Sequence, residues 1–177
     1  MSMTKISAAL DVKQMREAFD RLFALPDLIK STESDDFLAI HVGTRPFVLR
    51  VAELARIETG LRLVGVPGGD SWLVGLTNCQ GKLVPVHSLE LALGFDRTAG
   101  KKRWLAICGR EEPLGLEFDE LDGYLRIPQA DIFRTGGAES VSKHDQHAVR
   151  IEGELRPVVH LPSIIEAVRR RVSSPTI

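Results

Sequence analysis

His144 and His147 stand three residues apart, close enough for two imidazoles to share a metal ion. A tetrahedral site needs further nitrogen, sulfur or carboxylate ligands. No cysteine lies near them and the surrounding segment is polar, so exposed side chains are the simpler account. Cys79 raises a different chemistry, because His87 follows on a strand that should pair with its own. A thiol nucleophile needs a positioned base and a lowered pKa. No third group is evident to orient the base, and a buried or hairpin-edge cysteine is the plainer reading. Cys108 alternates with Leu105 and Ile107 and reads as packing. The acidic series Glu117, Asp119, Glu120 and Asp122 lacks the ligand spacing and central glycine of a calcium loop, so it reads as a solvated strand edge. Gly68-Gly69 has no following lysine and helix and is a turn, not a phosphate cradle. Arg169, Arg170 and Arg171 form a cluster too short to signal a lipid surface and suit a solvated helix end. No catalytic residue, metal or cofactor is expected.

The composition agrees. The 177 residues fit one domain or two small ones sharing a core. Hydrophobic residues make up 44% and charged residues 27%, with a formal net charge of −1. A near-neutral chain has no field to displace counterions from nucleic acid, so that partner class is set aside. Two cysteines make no disulfide framework. No stretch approaches the ~18 apolar residues of a membrane span. The expectation is a soluble, cytoplasmic protein without direct membrane insertion.

The elements that must position any site are mostly strands. A first amphipathic helix is predicted from about Asp11 to Leu25, with Val12, Met15, Phe19, Leu22 and Phe23 on one face and Pro26 limiting it. Lys30–Asp36 reads as a linker. Strands follow at Phe37–Val42 and Phe47–Val51, with weaker alternation over Arg56–Val66 up to the Pro67-Gly68-Gly69 turn. Trp72–Asn78 and Leu83–His87 flank Gln80-Gly81 as a hairpin, and a short helix spans Ser88–Leu93. The charged Arg97–Arg103 separates this half from a second strand group. That group holds Trp104–Cys108, Leu114–Phe118 and Gly123–Ile127, then a loop over Thr135–His147. Ala148–Ile151 and Leu155–His160 form a hairpin on a three-residue loop, Glu152-Gly153-Glu154, and a last helix begins near Pro162. Many short strands framed by two helices imply a mainly β barrel or sandwich.

Residues 72–89, WLVGLTNCQGKLVPVHSL, resemble the signature of CheW-like domains, roughly G-x-x-N-x-R-G-x-(I/V)-x-P-(I/V)-x-D-L. Gly75, Asn78, Gly81, Pro85, Val86 and Leu89 match it. Phe47–Leu54, Val66-Pro67-Gly68 and Leu114–Leu121 resemble further family segments in the same order, and the likeness runs from about Phe37 to Val168. The resemblance implies two five-stranded β-barrels of SH3-like form around a common core, with N- and C-terminal helices added here. It implies residues 1–36 as a helical extension and linker, 37–172 as the CheW-like domain and 173–177 as a tail. It also implies a non-catalytic adaptor that binds the hairpin tip of a chemoreceptor and the regulatory domain of a CheA-type histidine kinase. The N-terminal extension is similar to that of PilI-type proteins of type IV pilus systems, which makes twitching motility one setting.

Carried onto this chain, the signature hairpin makes Gly75, Thr77, Asn78 and Gln80 the expected partner-binding residues. Gly75 should permit close backbone approach, and a Gly75→Asp variant is expected to stay folded while losing partners. Two positions depart from the signature: Gln80 replaces its arginine and Ser88 its aspartate. A neutral amide offers fewer donors than a guanidinium and no charge. An adaptor for a partner outside chemotaxis and a small-molecule sensor using a barrel groove remain open alternatives.

Overall fold

The computed structural model describes residues 33–99, 104–135 and 144–173. The expected helix over Asp11–Leu25 and most of the expected Thr135–His147 loop lie outside these residues. The described strands are β1 (Ser34–Val42), β2 (Arg45–Arg50), β3 (Arg56–Thr59), β4 (Leu73–Cys79), β5 (Lys82–Ser88), β6 (Trp104–Cys108), β7 (Leu114–Phe118), β8 (Glu120–Pro128), β9 (Ile132–Arg134), β10 (Asp145–Ile151) and β11 (Glu154–Val159). Two helices, α1 (Leu89–Ala92) and α2 (Leu161–Ser173), complete them. Among the described residues no helix is long and apolar enough to cross a membrane.

The strands form two sheets, ordered β8-β1-β2-β11-β10-β9 and β3-β6-β7-β5-β4. In the first, the edge strands β8 and β9 are successive in the chain, separated only by the 3-10 turn Gln129–Asp131. One bent strand therefore serves both edges and curls the six-stranded sheet into a five-stranded barrel. In the second, the chain leaving β3 comes round to β4, where Val64 and Leu76 exchange two backbone hydrogen bonds of 2.8 Å. Each barrel holds one parallel pair, β2 with β11 and β5 with β7.

The division does not follow chain order, as the sequence suggested. Strands β6 and β7 rejoin β3–β5, and the β1–β2 hairpin completes the C-terminal barrel. The first strand also starts earlier than expected. Ser34–Asp36 pair with Arg126–Pro128, and their polar side chains meet partners across the strand. Tyr124 donates to Asp36 at 2.5 Å and Arg126 to Ser34 at 2.9 Å. His147, expected in a loop, lies in β10 opposite Arg134. The last hairpin turns on two residues, Glu152-Gly153, instead of three.

Three apolar clusters follow from the alternation. Phe37, Ala39, Val48, Ile127, Val149 and Val158 fill the first barrel. Cys79, Val84, Val86, Leu105 and Ile107 fill the second. A third cluster joins them: Ile40, Phe47 and Leu49 from one sheet, Ala106, Leu116 and Phe118 from the other, and Leu161, Ile164 and Val168 from α2. Strand β7 is buried along its whole length because it faces both the second barrel and this shared core. Cys108 belongs to the shared core, where burial pushes its thiol up to about 12. It packs as the sequence indicated.

Candidate protein-interaction site

The signature hairpin is a set of folding devices with an exposed tip. A β-carbon on Gly75 would stand 2.5 Å from the carbonyl oxygen of Val64, so the bare glycine lets the barrel close there. Thr77 is buried and donates its hydroxyl to the Arg62 carbonyl at 2.9 Å, holding the same crossing segment. Asn78 is exposed, and its Oδ1 accepts the Gly81 N–H at 2.9 Å. Gln80 and Gly81 form a two-residue turn with φ of 53° and 80°, the type I′ geometry that matches strand twist. Ser88 is the N-cap of α1, its Oγ accepting the Leu91 N–H. Serine and aspartate both cap helices well, so this departure from the signature keeps the structural role.

Of the four residues singled out from the sequence, Gly75 and Thr77 thus face inward and only Asn78 and Gln80 are exposed. Asn78 spends its carbonyl on the turn. Gln80 lies at the mouth of the second barrel, in a cleft of about 400 Å³ between the β4–β5 turn and the β6–β7 turn. Val84 and Ile107 of the barrel core form its floor, and Arg56, Lys82 and Arg110 line its sides. Arg56 pairs with Glu58 at 3.3 Å. The Lys82 ammonium donates to the Arg110 carbonyl at 3.2 Å, tying the two turns together. This basic rim was not legible in the sequence, since Lys82 and Arg110 are 28 residues apart and meet only through barrel closure.

The other candidates separate. Cys79 pairs with Lys82 at the turn while His87 pairs with Leu73 at the far end of the hairpin, so no thiol–imidazole couple forms. The Cys79 sulfur lies 3.9 Å from both Arg56 and Glu58. His144 shares a 2.8 Å hydrogen bond with Ser163, whereas His147 takes part in the β10 pairing. Burial, with Arg50, Arg134 and His160 nearby, holds the His147 imidazole below its usual pKa. Of the acidic series, Glu117 is buried against Arg97 at 2.8 Å and Asp119 accepts the Gly43 N–H. Glu120 and Asp122 gather near His41, but Asp122 is engaged by His41 at 2.9 Å and Arg156 at 3.4 Å. Each of the three C-terminal arginines is paired: Arg169 with Glu112, Arg170 with Glu166, and Arg171 with Asp70.

A concave, mixed apolar and cationic surface without a positioned nucleophile or base is suited to holding another molecule. The comparisons with known proteins point the same way. The CheW-like domain matches residues 36–169. The chemotaxis protein CheW of Helicobacter pylori is 23% identical over 124 residues, covering 67% of this chain and 75% of that protein. Protein PilI of Pseudomonas aeruginosa is 25% identical over 138 residues, covering 77% and 71%. CheW of Thermotoga maritima is 21% identical over 145 residues, covering 81% and 94%. The crystal structure of the scaffolding protein TtCheW from Thermoanaerobacter tengcongensis superposes with a TM-score of 0.63 at 13% identity, over 71% of this chain and 88% of that one. The two-barrel fold with a shared core is therefore the fold of that scaffold. The chain belongs to the CheW-like domain family, the non-catalytic scaffolds of chemosensory signalling.

Proposed function

We propose that this protein couples chemoreceptors to a CheA-type histidine kinase, in chemotaxis or in pilus-driven motility, and does so in the cytoplasm. One face takes the kinase's regulatory domain and another the receptor's hairpin tip. Residues 37–172 act as the coupling domain, with 1–36 as an extension and 173–177 as a tail. The observation that carries the reading is the hairpin of β4 and β5. Its signature positions serve folding, and it leaves Asn78 exposed beside the turn and Gln80 at an open barrel mouth. Gly75 and Thr77 contribute by fixing the hairpin against the crossing segment. The likeness to the chemotaxis protein CheW of H. pylori supports the chemotaxis setting, and that to protein PilI of P. aeruginosa fits the PilI-type resemblance. Burial of apolar area drives such association at ~25 cal/mol per Å², less the cost of immobilising two bodies.

The test is co-precipitation of the full chain with the regulatory domain of the kinase and with a receptor cytoplasmic fragment from the same organism. Both are expected to be retained, and a Gln80→Glu variant is expected to weaken at least one. Retention of neither by a folded chain overturns the reading.

A further inference from the structure

Resting on that scaffold reading, we propose that the mouth of the second barrel receives an acidic side chain of the partner. An aspartate or glutamate would sit between Lys82 and Arg110, with an apolar neighbour over Pro113, Val84 and Ile107. Among the described residues no carboxylate lines this cleft, and its charged walls are Arg56, Lys82 and Arg110. The Arg56 charge is offset by Glu58. Among the described residues neither Lys82 nor Arg110 has a carboxylate partner, whereas Arg169 and Arg171 of the last helix do.

Lys82 and Arg110 are both exposed and both line the cleft, and the Lys82 ammonium is held against the Arg110 carbonyl, which brings the two residues together at its rim. A carboxylate entering there would gain two charge-assisted contacts, with the Gln80 amide as a further donor. Removal from bulk water behind an apolar floor strengthens such contacts. A protein partner is favoured over a polyanion because the chain as a whole carries a net charge of −1. Two cations in a cleft of about 400 Å³ match one or two side chains and no extended strand of phosphates.

Nuclear magnetic resonance titration of the full chain tests it. The probe is an acetylated Glu-Leu-Glu-Leu peptide, with Gln-Leu-Gln-Leu as its neutral counterpart. The acidic peptide is expected to shift the amides of Gly81, Lys82, Gly109 and Arg110, and to bind more weakly as salt rises past about 0.15 M. A K82E/R110E variant should lose these shifts; a milder K82Q/R110Q variant keeps the test open if charge reversal disturbs folding. Equal shifts with the neutral peptide, or none with either, overturn the proposal. In parallel the same variants are assayed against the kinase regulatory domain, where about a tenfold loss is expected. Wild-type retention with no loss in the variants sinks the cleft and spares the scaffold reading. Acidic-peptide shifts at the cleft with no binding of kinase or receptor do the reverse.

Discussion

The carbonyl oxygen of Val64 lies 2.5 Å from the place a β-carbon on Gly75 would occupy. The segment bearing Val64 pairs with Leu76 next door and closes the second barrel. Gly75→Ala would force backbone against backbone, and overpacking of this kind costs about 1–3 kcal/mol. Urea unfolding should show a lower midpoint with an unchanged slope. Wild-type stability in the alanine variant would mean that the segment yields freely. Gly75→Asp, which the sequence alone commends as a folded binding probe, should lose stability before it reports on partners.

Ser88 caps the short helix α1 from a fully buried position. Ser88→Ala leaves the Leu91 N–H without that acceptor and should cost about 1 kcal/mol, whereas Ser88→Thr should recover most of it. Thermal melting of the three chains decides the point; equal midpoints would show the cap to be idle.

Glu53 illustrates how much of the fold was legible before the structure. Strands β1, β2, β4, β5, β6, β7, β8, β10 and β11 were announced by alternation and by turn pairs such as Gln80-Gly81, and β3 by a weaker alternation, because those signals are local. The anchoring of α2 was not, since Glu53 accepts the Leu161 N–H at 2.9 Å from 108 residues away. The same reason hid the Val64–Gly75 closure, the return of β6 and β7 to the first strand group, and the meeting of Lys82 with Arg110. Strand β9, only three residues long, offers too short a run to show a period. The family resemblance supplied the two-barrel frame that periodicity could not, but it did not indicate that Gly75 and Thr77, two of the partner-binding residues carried over from it, lie buried against the segment that closes the second barrel.

That same Glu53 gives a prediction with a definite sign. Burial raises its carboxyl pKa above the usual value, opposed by the Leu161 N–H and by nearby His160 and Arg50. A carboxyl with a raised folded-state pKa favours folding most when protonated, and that advantage is lost as pH rises through the folded pKa. Glu53→Gln keeps an acceptor for Leu161 without the buried charge. It should be at least as stable as wild type at pH 7, and the difference should shrink near pH 4. Glu53→Ala loses the acceptor and should cost about 1–2 kcal/mol at pH 7. A glutamine variant as weak as the alanine variant would show that the charge itself is needed.

His87 combines near-complete burial, 2% exposed, with a ring Nδ1 that has no hydrogen-bond partner. Burial holds its pKa below the ordinary histidine value, and the Asp70 carboxylate offsets this in part. The unfolded chain therefore takes up the proton first. Stability should fall as pH drops through about 6.5, the unfolded value, towards the folded one. His147 is shifted in the same direction and adds to the slope. The signature leaves position 87 unspecified, and an apolar side chain of similar size would remove a buried unpaired nitrogen. His87→Leu should therefore gain about 1 kcal/mol at pH 7 and flatten, without abolishing, the loss between pH 7 and pH 5. Urea midpoints measured across that range test both parts. A variant that unfolds more easily at pH 7 would assign the imidazole a structural bond, and an unchanged slope would place the acid sensitivity elsewhere, with His147 the next residue to replace.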